Sequence, residues 1–371
     1  MDKLRKVREV ISENKLDAIL ISSVSDIVYL TNYNGFSYLE REAFLLVLAQ
    51  PQGLKHKTPG VYGYILTDGR YSEAVSSIPH FKLLEISSDN SFENILKNLS
   101  AEIKSIGAEE TDISLAEYKK LKKYFRVKPL KDLRNLRIIK SKDEISRIEQ
   151  ACKLGDKAFE FILTKLKAGV TEKQIAHELE MFVKKSGADI SFPPIVAFGK
   201  NSSMPHHKSN NEKLITNNIV LLDFGVKLEN YCSDMTRTIF FGKADAKFKK
   251  IYNTVLSSQL KAINYINLVG RRHSTYEVGA RGTDRVVRKY IIKHGFPTIP
   301  HSLGHGIGIE VHEPPRLSPK SKDILKPGMV FSIEPGIYIS GYGGVRIEDL
   351  AVLENRGFRL LTHSPKNLIE I

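Results

Sequence analysis

Five residues in the C-terminal part of the chain have types and spacing suited to joint chemistry: Asp223, Asp234, His305, Glu334 and Glu348. The two aspartates lie in LLDFGVKLENYCSDMTRT (221–238), which reads as two apolar strands around a turn. Their midpoint falls between Leu228 and Glu229. A tight hairpin centred there, with a Leu228–Glu229 or a Lys227–Asn230 loop, predicts carboxylates directly opposed on one face, with Cβ atoms roughly 4.5–5.5 Å apart. The two glutamates repeat the pattern in MVFSIEPGIYISGYGGVRIEDLAVL (329–353), where the midpoint is Gly341 inside the turn signal Ser340–Gly344. Opposed acids that are also buried repel each other, so either one stays protonated or a cation sits between them. They could instead be edge residues facing water, or partners of Arg237 and Arg346. Between the hairpins, HSLGHGIGIEVHEPP (301–315) carries His301, His305 and His312, with His305 bracketed by Gly304 and Gly306. Glycine permits close backbone approach to a site. One neutral imidazole with four carboxylates suits a pair of divalent ions such as Mn²⁺, Co²⁺, Fe²⁺ or Zn²⁺, and not a cysteine-rich structural zinc site. Two such ions bridged by carboxylates are a hydrolytic arrangement.

The elements that must position these groups fall into two blocks. Residues 1 to about 130 alternate helical and extended patterns: Leu4, Val7, Val10 and Ile11 at helical spacing, then apolar runs at Asp17–Ser22, Phe44–Leu48 and Tyr62–Leu66. The Pro-, Gly- and Lys-rich stretch Gln50–Gly60 reads as a loop. A hinge is expected at Lys131–Ile139, and the boundary is placed at 135, giving an α/β domain 1–135 and a catalytic domain 136–371. Ser141–Glu144 is a capping box that opens a long helix with Ile145, Ile148, Cys152, Gly155, Phe159 and Ile162 on one face, so Cys152 is a core residue. Thr171–Gln174 caps a second helix with Ile175, Leu179, Phe182 and Val183 inside. Beyond Gly187 the chain turns strand-rich, with helices expected near 246–265 and 275–293.

In their order, the motifs LLDFG, SDMTRT, GHGIG, IEPGIY and VRIED resemble the five-ligand signature of the pita-bread metallopeptidases. That group includes methionine aminopeptidase, Xaa-Pro aminopeptidase, Xaa-Pro dipeptidase (prolidase) and the metal-free creatinase. The resemblance covers roughly residues 140–371. The N-terminal block resembles the creatinase/prolidase-type N-domain through its α/β pattern and Asp68-Gly-Arg-Tyr71. It implies an α+β pita-bread catalytic domain preceded by a smaller α/β domain. It also implies roles: Asp223 chelating one metal, Asp234 and Glu348 bridging both, His305 and Glu334 completing the second. A water or hydroxide between the ions would be the nucleophile and Glu334 its proton shuttle. Mn²⁺ or Co²⁺ are the expected ions, with Zn²⁺ or Fe²⁺ as alternatives. His206, in GKNSSMPHHKSN (199–210), would touch the substrate or leaving group, and His207 is the poorer candidate. His312 would hydrogen-bond the carbonyl, His301 would line the pocket for the residue after the cut, Arg346 would meet a ligating acid or a substrate carboxylate, and Tyr338 would orient the site. One departure is visible at LVGRRHSTYEVGARGTDRVVRKYI (268–291), where the turn is Gly270–Arg272 and the following helix face is basic.

These readings make the chain a metal-dependent exopeptidase acting on short peptides, with Xaa-Pro substrates expected from the resemblance. A silent binding module on the same scaffold, a diverged methionine aminopeptidase and another amide hydrolase are the alternatives. The balance of 56 basic against 42 acidic residues gives a net charge of +14, but the basic residues are dispersed, which favours a solvated surface over a nucleic-acid site. Two cysteines make no disulfide framework, and no apolar run near the N-terminus is long enough for a signal core or a span. A cytoplasmic protein is expected, and relatives with this N-domain suggest a homodimer.

Overall fold

A computed structural model describes residues 2–50, 60–131, 133–271, 276–355 and 357–371. The expected loop at Gln50–Gly60 falls mostly outside the described residues, as do Asp132 in the expected hinge and Arg272 in the turn after Gly270. The chain divides into two compact units, Met1–Arg137 and Ile138–Ile371.

The N-terminal unit is built on a six-stranded sheet in the order Phe81–Ile86, Gly63–Asp68, Ala43–Leu48, Ala18–Ile21, Ser105–Glu109, Arg126–Leu130. The three middle strands pair antiparallel and the outer ones parallel. Both faces are covered, which explains why these strands read as continuous apolar runs and not as alternating ones. Ile19 and Ile21 join Leu4, Val7 and Ile11 in one core, while Ala18 and Leu20 join Leu46, Leu66, Ile95 and Leu96 in the other.

In the C-terminal unit the capping boxes at Ser141 and Thr171 open helices Lys142–Leu163 and Glu172–Lys185. Their apolar faces, through Phe159, Ile162, Ile175, Leu179 and Val183, cover Val196, Val220, Leu222 and Ile239 of the three-stranded sheet Ile195–Phe198, Asn218–Phe224, Met235–Phe241. Cys152 is buried there, as expected. A second helix pair, Ala246–Gly270 and Ala280–Lys293, packs on Phe331, Ile333, Ile337, Val345 and Ile347. The second of these helices begins later than expected. Val278–Gly279 instead forms a strand with Ile324–Leu325, because Gly279 ends in an extended conformation before the helix.

The first hairpin differs from its expected register. Strand pairing sets Thr236 opposite Asp223, and the turn is Glu229–Asn230, not Leu228–Glu229. Both turn residues have positive φ, 46° and 72°. Such a turn matches the twist of its strands, and asparagine accepts the left-handed conformation where a leucine resists it. The shift is by two residues in pairing, so Asp234 keeps the face of Asp223 and becomes its diagonal neighbour. The second hairpin has the expected register. Ile333 pairs with Asp349 and Gly336 with Arg346, which sets Glu334 opposite Glu348.

Candidate metal centre

Each of the five residues is delivered by a different backbone feature. Asp223 is near the end of strand Asn218–Phe224, and Asp234 sits in the break between Tyr231–Cys232 and Met235–Phe241. Glu334 and Glu348 occupy the gap where one ladder hands over to the next, just before Pro335 and just after Ile347. His305 is the centre of strand Gly304–Gly306. The flanking glycines are needed because a Cβ at Gly304 would lie 2.0 Å from Ser332 O, and one at Gly306 would lie 2.1 Å from Pro314 O. That close packing brings the imidazole against the glutamate strand.

His305 Nδ1 lies 3.0 Å from Gly306 O and donates its proton there, which leaves the Nε2 lone pair facing Asp234 Oδ2 (3.6 Å) and Glu334 Oε1 (3.4 Å). Burial, and then His312, push His305 down to about 3, so the ring is neutral. Ligand atoms of Asp234, His305 and Glu348 all lie within 4.8 Å of one another. These are acceptors facing acceptors. Among the described residues Asp223 Oδ1, Asp234 Oδ1 and Glu348 Oε1 are buried without a hydrogen-bond partner. Buried polar atoms in native proteins are almost always satisfied, so orphaned oxygens on Asp234 and Glu348, the two acids whose ligand atoms cluster with His305, fit a bound cation. A histidine that ligates metal through one nitrogen and donates from the other to a carbonyl is a usual arrangement. The carboxyls record the same crowding. Burial and then Glu348 hold Asp234 and Glu334 well above the usual range, and burial with Asp223 pushes Glu348 up to about 7.

Asp223 has a cationic partner, since Arg346 Nη2 donates to its Oδ2. Of the two partners expected for Arg346, the structure pairs it with a carboxylate of the protein, that of Asp223. The buried guanidinium also donates to Thr236 Oγ1 (2.9 Å) and to Tyr338 Oη (2.9 Å). Thr236 Oγ1 in turn donates a hydrogen bond to Glu348 Oε2 (2.7 Å). Tyr338 is 2.9 Å from His301 Nε2, and His301 Nδ1 lies 2.7 Å from Ser302 O, so the tyrosine donates to the ring. Burial keeps His301 down to about 4 and Tyr338 up to about 12, which fixes both as neutral links in this chain.

His312 is exposed, with its ring edge-on to His305 and centroids 4.4 Å apart. His206 is exposed, close enough for its charge to act on Asp223 and His312. His207 is buried and bonds Glu172 Oε2 (2.7 Å), a fully buried carboxylate that also accepts from Phe198 N, Asn201 Nδ2 and Asn210 N. It is a strut, not a site residue. Cys232 is buried with Sγ against Ile309 O.

Two neighbours of the site were not found in the sequence. Thr236 is two residues from Asp234 on the same strand face, a spacing that could have marked it. Arg316 is the cross-strand partner of His305 and is exposed. Its Nε donates to Ser302 Oγ (2.8 Å), and it pairs with no carboxylate among the described residues. Its signal was the strand alternation that follows His312 in HEPPRL.

Comparison with known proteins shows the family of the chain. Residues 146–355 match the model of metallopeptidase family M24, and residues 3–139 match the creatinase/prolidase N-terminal domain. A Bacillus subtilis (strain 168) protein described as uncharacterized peptidase YqhT is 36% identical over 374 residues, covering 99% of each chain. The Xaa-Pro dipeptidase from Bacillus anthracis superposes with a TM-score of 0.87 at 33% identity, over 100% of this chain and 99% of that one. The X-Pro aminopeptidase from Thermotoga maritima MSB8 gives 0.81 at 30% identity, over 96% and 98%. The expected architecture, an α+β pita-bread domain preceded by a smaller α/β domain, is the one these matches show. Among the described residues no helix is long and apolar enough to cross a membrane.

Proposed function

The chain belongs to metallopeptidase family M24, and from that premise we propose that it is an Xaa-Pro dipeptidase using two divalent ions held by Asp223, Asp234, His305, Glu334 and Glu348. The observation that carries the reading is the cluster of Asp234, His305 and Glu348 ligand atoms, in which Asp234 Oδ1 and Glu348 Oε1 are buried with no hydrogen-bond partner among the described residues. The oxygen-rich donor set with a single imidazole favours Mn²⁺ or Co²⁺.

Divalent ions there supply Lewis acidity that activates a water and polarises the scissile carbonyl. The protein's own groups do the rest. Glu334, held above the usual carboxylate range by burial and Glu348, takes and returns the proton of the attacking water. His312, on the exposed side of His305, donates to the substrate carbonyl oxygen, and His206 holds the departing amine. The Arg346–Tyr338–His301 chain keeps the His301 ring fixed along the pocket for the proline.

Dipeptide preference is supported by Arg316. An exposed guanidinium across the strand from His305, with no acid partner among the described residues, can receive a substrate carboxylate one residue beyond the cut. The similarity to a solved Xaa-Pro dipeptidase points the same way. The test is elemental analysis with a panel of Ala-Pro, Met-Ala and Ala-Pro-Ala. Ala-Pro should be cleaved after metal reconstitution, and Arg316→Gln should raise its KM about 10–100-fold, the value of a charge-assisted hydrogen bond of about 1.5–3 kcal/mol. Equal turnover of Ala-Pro-Ala and Ala-Pro would make the enzyme an aminopeptidase. No turnover of any member would refute the peptidase reading of the site.

A further inference from the structure

Behind the two glutamates the β-ladder has a defect with a physical cause. Ile347 N donates to Pro335 O (3.3 Å), and in an antiparallel pair Pro335 would return a hydrogen bond to Ile347 O. Proline has no N–H, so that carbonyl loses its ladder partner. A side chain replaces it. Gln259 on helix Ala246–Gly270 is fully buried, and its Nε2 donates to Ile347 O (3.2 Å) and to Ile333 O (3.1 Å). Its Oε1 accepts from Lys366 Nζ (3.3 Å). The amide can face only this way, since turning it over would set oxygen against two carbonyls and NH₂ against an ammonium.

Ile333 and Ile347 immediately precede Glu334 and Glu348 on the two strands. One amide therefore ties together the two backbone positions from which the opposed glutamates project, at the place where the ladder itself cannot. We infer that Gln259 is a positioning residue of the metal centre: its pair of hydrogen bonds sets the separation of the Glu334 and Glu348 carboxylates and so the affinity for the ions. It touches neither substrate nor ligand atoms. The inference rests on the metal-centre reading above.

The experiment is the affinity of full-length protein for Mn²⁺, measured by competition with a fluorescent chelator. Gln259→Met keeps the length of the side chain and removes both donors. Ala262→Gly is the control: it loosens the same helix at a buried position and bonds to neither glutamate strand. Groups that orient metal ligands are worth about 10–100-fold in affinity, so Gln259→Met should bind Mn²⁺ at least about 10-fold more weakly. Ala262→Gly should bind like wild type although both variants melt earlier. A purely structural role for Gln259 would lower the melting temperature and leave the affinity of the folded protein within about twofold of wild type, which would overturn the inference. If Gln259→Met does not fold, Gln259→Asn is read in the same way, because its shorter amide cannot span both carbonyls. Wild type that binds no divalent ion would refute the metal centre itself. Wild type that binds, with both Gln259 variants binding equally well, would refute only this proposal.

Discussion

Asp234→Asn should do two opposite things. In metal-free protein the site sets four carboxylates, Asp223, Asp234, Glu334 and Glu348, against one guanidinium, Arg346. Asp234 and Glu348 bring ligand oxygens within 4.8 Å of each other. Two full negative charges at that distance repel by about 3 kcal/mol at an effective dielectric of roughly 20. Removing one charge can therefore stabilise the chelated protein by up to about 3 kcal/mol, or roughly 6–12 °C in melting temperature for a unit of this size. The observed rise should be smaller, because the folded carboxyls escape part of the repulsion by keeping protons. Their raised pKa values set the sign with pH. An acid raised in the folded state contributes stability that is complete below its unfolded value and is lost as pH rises through the folded one. For Glu348 that window runs from 4.5 to about 7. Chelated wild type should lose stability across it, and Asp234→Asn should lose less. Adding Mn²⁺ should then raise the melting temperature of wild type strongly and that of the variant little, with peptidase turnover abolished in the variant. Calorimetry in chelator and in Mn²⁺ at several pH values reads all of this. A chelated variant less stable than chelated wild type at about pH 8 would refute the crowding argument, and an undiminished Mn²⁺-induced shift would remove Asp234 from the site.

Arg346→Met leaves Asp223 without its buried partner. It should cost about 3–5 kcal/mol in metal-free protein, and less when metal is present to neutralise the acid. Urea unfolding with and without Mn²⁺ measures the difference, and equal losses in both states would separate Arg346 from the centre. In the N-terminal unit Glu109 accepts from Ser22 N, Ser22 Oγ and Ser23 N on one oxygen and from Ser23 Oγ on the other, while burial and then Asp26 push it up to about 7. The same sign rule applies, with stability lost between 4.5 and about 7. Glu109→Gln, which can keep these contacts, should flatten the unit's stability over that range; a profile parallel to wild type would show that Glu109 does not titrate there.

What could be read from the residues was what is local. The Ser340–Gly344 turn names its own centre, so the glutamate register followed from counting. The aspartate hairpin did not, because the deciding feature was which neighbour of Glu229 would accept positive φ, and Asn230 does so at less strain than Leu228. The capping boxes at Ser141 and Thr171 were legible for the same local reason. Partners brought together by the fold left no such trace. Arg346 meets Asp223 across 123 positions, Lys140 meets Glu313 across 173, and Gln259 reaches Ile333 and Ile347 from a helix whose periodicity marks it only as one more inward position.

Two neighbouring acids show how the chain separates structural charge from functional charge. Strand alternation turns Glu348 and Asp349 to opposite faces, and both are almost completely buried. Burial alone would raise both. Asp349 is nevertheless held below the usual range, because Arg237 Nη2 (2.7 Å) and Lys366 Nζ (2.8 Å) lie against its two oxygens. Glu348 has a hydroxyl on one oxygen and nothing among the described residues on the other, and it is pushed up to about 7. A fold that could place two cations against one carboxylate, yet leaves the adjacent one with only Thr236, is not short of lysine or arginine. On the face that holds His305, Asp234 and Glu334 the buried acids outnumber the cations, an imbalance with the donor chemistry that divalent ions would balance. A divalent cation held there would complete the C-terminal unit's charge arrangement, so chelation should be visible in stability before any substrate is added.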